Sequence, residues 1–435
     1  MSRVGQGGEE RGAFAGEALR TGAVLGQWIA LGVVIGVLCG VASAVFLQLL
    51  EIATATREAD ERLVWALPFA GLAIGWIYER WGESILAGNN LVIDAIHDEG
   101  PEIPVRMAPM VLLGTVLTHL FGGSAGREGT AVQMGASLSD ALCRLGGLVG
   151  AMRRRLLAAG VAGGFGSVFG TPFAGAVFGL EFVVLGRIEY DALVPALVAS
   201  VVGDMTTRAL GVVHSVYPLV APEPLGPSML LRWHVFAVAV AATSIAFIEA
   251  THFLKRRGAL LLPRLPLRMF AGGLALVVLW RIAGTSEYLG LGVPTILRAF
   301  DDPALPPWTF AAKALFTAVT LGAGFLGGEV TPLFFVGATL GNALAGPLGL
   351  PLDLAAGVGM AAVFATAANA PLSLSVMAAE LLGASVFPHV AIVCTIAWVL
   401  GGHRSLYPRQ RILGRKDGER RASEVALAEL EDGDA

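Results

Sequence analysis

The stretch VFGTPFAGAVFGLEF, residues 168–182, is echoed in its spacing by ATAANAPLSLSVMAAEL, residues 365–381. Pro172 and Glu181 stand nine residues apart in the first, Pro371 and Glu380 nine apart in the second, and Phe165 and Phe364 each precede their proline by seven. The second proline follows the first by 199 positions. Self-similarity at a fixed distance marks homologous units and decides architecture before any single element is read.

Two further pairs keep the same order. Gly126-Arg127-Glu128-Gly129-Thr130 reads G-x-E-x-T, and so does Gly327-Gly328-Glu329-Val330-Thr331, 201 positions on, with Gly123 corresponding to Gly324. More weakly, LAGNNLVI (86–93) matches YLGLGVPTI (288–296) through Gly88 and Gly290, 202 apart. Together they give two homologous halves, residues 21–211 and 229–411, joined by a linker at 212–228. Spacing leaves their relative orientation open, although inverted repeats are the common arrangement in secondary transporters.

The composition says where these halves reside. Of 435 residues, 55% are hydrophobic and 15% charged, against about 25% charged in soluble domains. Apolar runs such as AVLGQWIALGVVIGVLCGVASAVFLQLL and VFPHVAIVCTIAWVLGG recur along the whole length, so the membrane part is not a single anchor. No ten-residue alternation of the barrel type is evident, and the 57 glycines suit close helix packing in lipid. The expectation is an all-α integral membrane protein.

Basic clusters at Arg153-Arg154-Arg155, at Lys255-Arg256-Arg257 and in PRQRILGRK near the end place these points on the cytoplasmic side. The same rule puts a tail at 1–20 and a short charged tail at 412–435 in the cytoplasm of a cell whose plasma (inner) membrane holds the protein. The first tail lacks a signal-peptide shape. The second is expected to be disordered and too short for a regulatory domain. Cys39, Cys143 and Cys394 sit singly, as small buried hydrophobes do, and the histidines are scattered, so no metal or cofactor is expected. GAGFLG at Gly322 has no strand–turn–helix context for a dinucleotide, and no nucleic-acid partner is expected.

The glycine-rich openings GNNLVIDAIHDEG, GREGTAVQMGASL, GLGVPTILRAF and GGEVTPLFFVGATL each look like the start of a helix that stops inside the membrane. Such helices present free amides and the positive end of a dipole to a midplane site, and free amides at helix starts bind anions.

These residues resemble the CLC family of anion channels and proton-coupled anion antiporters over about residues 21–411. Its G-[KR]-E-G-P motif stands here as Gly126-Arg127-Glu128-Gly129 followed by Thr130, its G-S-G-I-P motif falls on Gly88-Asn89-Asn90-Leu91-Val92, and its G-x-F-x-P motif on Gly328-Glu329-Val330-Thr331-Pro332. The tyrosine of its last short helix matches Tyr407 in SLYPRQ. Asparagine for the central serine, Thr130 for proline, and the added Glu329 and Thr331 are similar to the fluoride/proton antiporter branch. The inner glutamate of chloride/proton antiporters falls on Phe182, with Glu181 one residue earlier, so the usual inner proton acceptor is missing.

The resemblance implies a proton-coupled fluoride exporter, homodimeric with one pathway per subunit. A carboxylate in the membrane core is functional by default. Glu128 would occupy an anion site, compete with the permeating anion, and carry a proton when it swings out. Glu329 would relay the proton or hold Thr331. Fluoride is small and strongly hydrated, so its site needs close donors: the amides of Asn89 and Asn90, the hydroxyls of Thr331 and Tyr407, and the backbone near Arg127, Gly129 and Val330. Which asparagine faces the path is open, since either can cap its helix, and Tyr407 can also serve as an interfacial anchor. Phe165, Phe169, Phe173 and Phe364 are expected to pack, Asn369 to make a turn, and His119 to be a satisfied membrane histidine. Two other readings stand beside this one: a chloride antiporter or channel of the same fold, and an intramembrane enzyme using Glu128 and Glu329 as an acid pair.

Overall fold

The computed structural model describes residues 6–97, 101–185, 187–414 and 420–427. Sixteen α-helices carry the described chain. The first eight are α1 (Gln6–Ala59), α2 (Leu67–Trp81), α3 (Asn89–Ile96), α4 (Met107–Leu120), α5 (Glu128–Leu145), α6 (Ala151–Phe169), α7 (Pro172–Glu181) and α8 (Leu193–Ala209). The second eight are α9 (Pro227–Leu261), α10 (Leu265–Ala283), α11 (Val293–Arg298), α12 (Thr309–Gly322), α13 (Val330–Leu348), α14 (Leu352–Ala368), α15 (Pro371–Leu382) and α16 (Phe387–Leu400). The two series match helix for helix, short where their partners are short.

Packing repeats with the sequence. A methyl group on Gly135 would strike the Gly160 carbonyl where α5 crosses α6, and one on Gly337 would strike that of Gly359 where α13 crosses α14. The weak pair found in the sequence holds as well: Gly88 has φ 57° and Gly290 φ 55°, each just ahead of a short helix. Gly170 ends α6 in the left-handed region at φ 75°, and Asn369 ends α14 there at φ 56°. Asn369 is thus the expected turn, and its Nδ2 donates to the Arg404 carbonyl at 3.0 Å.

The contacts between halves fix their orientation. A Cβ on Gly75 would lie 2.6 Å from Pro266 Cα, and one on Gly273 2.7 Å from Pro68 Cα. Contacts that advance along α2 from Pro68 to Gly75 retreat along α10 from Gly273 to Pro266, so the two run antiparallel. Pro172 and Pro371 begin α7 and α15, where the missing N–H costs nothing, and these helices also run antiparallel. Helix pairs related this way require a two-fold axis in the membrane plane, so the repeats are inverted. The fold is an all-α integral membrane fold with interrupted helices; the apolar segment Thr21–Ala59, α9 and α10 are each long and apolar enough to cross a bilayer.

Both expected tails differ in part from the expectation. Helix α1 begins at Gln6 with no break at residue 21, because EERGAFAGEALR contains strong helix formers and no proline. At the other end β1 (Val184–Leu185), β2 (Arg411–Gly414) and β3 (Arg420–Ala426) make a small sheet, β1 parallel to β2 and β2 antiparallel to β3. A charged stretch read alone gives no hint of pairing to a strand more than 200 positions earlier, since the partner edge exists only in the folded molecule. The parts of the expected tails at 1–5, 415–419 and 428–435 lie outside the described residues.

Candidate functional site

The loops that open α5 and α13 meet as one antiparallel bridge. Gly126 N–H donates to the Gly328 carbonyl at 2.6 Å and Gly328 N–H to the Gly126 carbonyl at 2.8 Å. The G-x-E-x-T motifs of the two halves are thereby placed against each other, with both helix starts converging.

Glu128, the first residue of α5, is fully buried. The Thr331 hydroxyl donates to its Oε1; the Thr331 N–H (3.2 Å) and the Arg127 N–H (3.0 Å) donate to its Oε2. The carboxylate of one repeat thus occupies the amide-lined start of the other repeat's helix. A charged side chain at this depth costs roughly 3 kcal/mol on insertion scales. A hydrogen bond to a charged group returns roughly 1.5–3 kcal/mol, so two of the three suffice to hold it. Arg127 lies ahead of the helix rather than on it, which lets its Nε come within 3.4 Å of Glu128 Oε1 without hydrogen-bond alignment.

On the other side of Gly129 stand Asn89, Glu329 and Tyr407. A Cβ on Gly129 would lie 3.2 Å from Asn89 Nδ2 and 3.5 Å from Glu329 Oε2. The Tyr407 hydroxyl is 3.5 Å from the same Oε2, and Asn89 reaches the Tyr407 side chain. The two asparagines divide: Asn89 is buried at the start of α3 beside this cluster, while Asn90 turns its Oδ1 to accept the Arg409 N–H at 3.2 Å. Tyr407 is buried and meets Phe182 edge-on at 5.0 Å, which removes the interfacial-anchor reading. Val330 is buried, and the amide that reaches the Glu128 carboxylate is that of Thr331, one residue further on.

Two cavities flank Glu128 without sharing a residue. One, of about 220 Å³, is lined by Asn89, Asn90, Thr130, Glu329, Tyr407 and the end of α9 at Lys255. The other, of about 570 Å³, is lined by Arg127, Glu51, Glu58 and His214. The first opens beside the end of α2 and the start of α10, the second beside the end of α1, so the antiparallel pairing places them on opposite faces of the membrane. Glu128 lines neither and lies between them. Helix α11, whose start was expected to aim at the same site, instead borders a cavity with Arg57 that shares Thr54, Glu58 and Leu291 with the 570 Å³ one. The two-fold axis that pairs it with α3 sends it to the other face.

The family model described as voltage gated chloride channel matches residues 70–402. A protein of Pseudomonas syringae pv. tomato named chloride/fluoride channel protein is 46% identical over 93% of this chain and 91% of its own. A crystal structure of a CLC-type fluoride/proton antiporter superposes with a TM-score of 0.86 at 34% identity, covering 89% of this chain and 98% of that one. A slow cyanobacterial Cl-/H+ antiporter shares the fold at a TM-score of 0.76 and 19% identity, over 86% and 94% of the two chains. The chain belongs to the CLC family.

This CLC chain is therefore a member of a transporter family rather than an enzyme, and its departures from the family motifs acquire partners in the structure. Thr130, in the place of a proline, bonds the Thr115 hydroxyl at 2.7 Å, tying α5 to α4. Phe182, which the resemblance sets at the inner glutamate's position, continues an aromatic ladder: Phe165 stacks on Phe178 at 4.1 Å and Phe178 on Phe182 at 4.9 Å. Of the four phenylalanines expected to pack, Phe165, Phe169 and Phe364 are buried, but Phe173 is 58% exposed; its place at the start of α7 turns the ring outward. His119 is enclosed, its ring nitrogens 2.8 Å from the Thr115 carbonyl and 2.9 Å from that of Ala125, and the three cysteines are buried and free. Among the described residues no three His, Cys, Asp or Glu side chains cluster as metal ligands do. Sequence reasoning missed Thr115 and Lys255: the first belongs to no motif, and the second was absorbed into a basic cluster.

Proposed function

We propose that this protein is a proton-coupled fluoride antiporter that exports fluoride from the cytoplasm, with Glu128 as the mobile gate. One observation carries the reading: a buried carboxylate, held by the start of α13, occupies the gap between two cavities on opposite faces. A group bound there as an anion is bound where a permeating anion would be, and the two compete. Protonation removes the negative charge that the amide and hydroxyl donors favour, frees the side chain and loads one proton onto it. Competition and protonation together couple anion movement one way to proton movement the other.

Fluoride is favoured by the donor set. Asn89, Thr331 and Tyr407 bring short, hard donors to one place, which is what the removal of water from a small anion demands. Glu329, one residue ahead of α13 and 3.5 Å from the Tyr407 hydroxyl, serves as the second proton station, since Phe182 fills the place of the usual one. The face with Lys255, Arg256 and Arg257 is assigned to the cytoplasm by its positive charge, in a bacterial inner membrane. The apolar side chains exposed on the repeat-related helices, Phe173 and Leu372, with Leu193 and Met205 on α8, support a homodimer with one pathway in each subunit.

The test is proteoliposome flux with fluoride and chloride side by side, reading pH in the same vessel. Fluoride movement accompanied by opposite proton movement is expected. Equal chloride movement, or fluoride movement without protons, would sink the reading; the uncoupled outcome would favour a channel, as the name of the Pseudomonas relative suggests.

A further inference from the structure

The face assigned to the cytoplasm holds a cation that no motif accounts for. Lys255 lines both the 220 Å³ cavity beneath Glu329 and the adjoining outer cavity of about 310 Å³. Helix α12 fixes it there: a Cβ on Gly322 would lie 2.7 Å from Leu254 Cβ and 3.4 Å from the Lys255 backbone nitrogen, so the last turns of α9 are clamped beside the loop that leads to α13.

Arg256 and His403 line the outer cavity alone, and three further basic groups are engaged. Arg268 Nε donates to the Ala323 carbonyl at 3.3 Å, Arg404 pairs with Glu249 at 2.9 Å, and His252 bonds the backbone at Leu406. Lys255 has neither an ion pair nor a hydrogen bond among the described residues, and it shares the lining of the inner cavity with Glu329. The same cavity is lined by Thr251, whose buried hydroxyl has no hydrogen-bond partner, and by Asn89, whose Nδ2 is its donor. At about 30 Å³ per water the inner cavity has room for an anion with part of its hydration shell.

We propose that Lys255, with Thr251 and Asn89 further in, forms a recruiting site that gathers a partly hydrated anion from the cytoplasm before it displaces Glu128. The ammonium offsets the repulsion that Glu329 would otherwise impose at the approach, and the Thr251 and Asn89 side chains replace water as the anion advances. The anion's identity rests on the reading above, fluoride; the role of Lys255 concerns whichever anion is carried.

The experiment compares Lys255→Met with wild type in proteoliposomes, measuring initial anion flux against fluoride and against chloride concentration at low and high salt. Expected is a rise of about three- to tenfold in apparent KM at low ionic strength that shrinks at high salt, as exposed charges are screened, with maximal rate and proton-to-anion ratio unchanged. Lys255→Arg restores KM, Thr251→Val raises it without the salt dependence, and Arg257→Met, about 200° around α9 from Lys255 in the same basic cluster, leaves it alone. An unchanged KM in Lys255→Met overturns the proposal, as does a loss of maximal rate or coupling at unchanged KM, which would make Lys255 part of proton transfer instead. If wild type carries chloride as well as fluoride, or carries anions uncoupled, the fluoride-antiport reading fails while the KM comparison for the transported anion still decides Lys255. Wild type that carries no anion overturns both.

Discussion

Glu181 and Glu380 cap each other's helices across the two halves of the protein. Glu181, at the end of α7, accepts from the first amides of α15, Leu372 N–H at 3.0 Å and Ser373 N–H at 2.8 Å. Glu380, near the end of α15, accepts from the first amides of α7, Phe173 N–H at 3.1 Å and Ala174 N–H at 2.7 Å. The nine-residue spacing from proline to glutamate is the length that brings each carboxylate level with the other helix's start.

Replacing either glutamate should therefore weaken the fold rather than the coupling. Glu181→Ala and Glu380→Ala each remove a cap on buried amides, for about 0.5–2 kcal/mol, read as a melting temperature lower by a few degrees in detergent. The proton-to-anion ratio of the surviving protein should stay that of wild type. A changed ratio in Glu181→Ala would show that it has inherited the proton role of the missing inner glutamate.

Glu128→Gln keeps the shape of the gate and removes its charge and its capacity to carry a proton. Proton movement should fall to background, and whatever anion flux remains should no longer depend on pH between 5 and 8 (about the range over which the wild type is driven by ordinary proton gradients). Flux assays with simultaneous pH recording decide this. Coupled transport in the variant would remove Glu128 from the mechanism.

The two asparagines should behave differently despite being neighbours. Asn89→Ser takes an amide from the cluster with Glu329 and Tyr407 and should lower the preference for fluoride over chloride by tenfold or more, roughly the value of one hydrogen bond to an ion. Asn90→Ser affects a bond to the Arg409 backbone and should leave selectivity within about twofold. Selectivity measured from paired flux assays is the readout, and a reversed order of effects would place Asn90 in the path.

Close helix crossings make the core sensitive to a single methyl. Gly135→Ala and Gly337→Ala each drive a methyl into a backbone carbonyl of the crossing helix and should destabilise by about 1–3 kcal/mol. Gly346→Ala, whose Cβ would meet nothing within 4 Å, is the control and should be neutral or slightly stabilising. Thermal unfolding followed by size-exclusion chromatography separates them.

The class, the repeat and the two acidic motifs are all legible in the chain's composition and spacing. Composition reports solvent, because a chain this apolar has only lipid to face, and proline, glutamate and glycine recur because each repeat needs the same helix starts, caps and close approaches. Glu128 and Glu329 were legible for the same reason: a carboxylate set among glycines in an apolar run has few uses. Tertiary structure alone decided the rest. Inversion of the repeats depends on which ends of α2 and α10 meet, and spacing carries no direction. The split between Asn89 and Asn90 depends on one turn of backbone after Gly88, and the absence of α11 from the site follows from the two-fold axis. Thr115 and Lys255 belong to no local pattern, because their partners are brought to them only when helices distant in sequence cross.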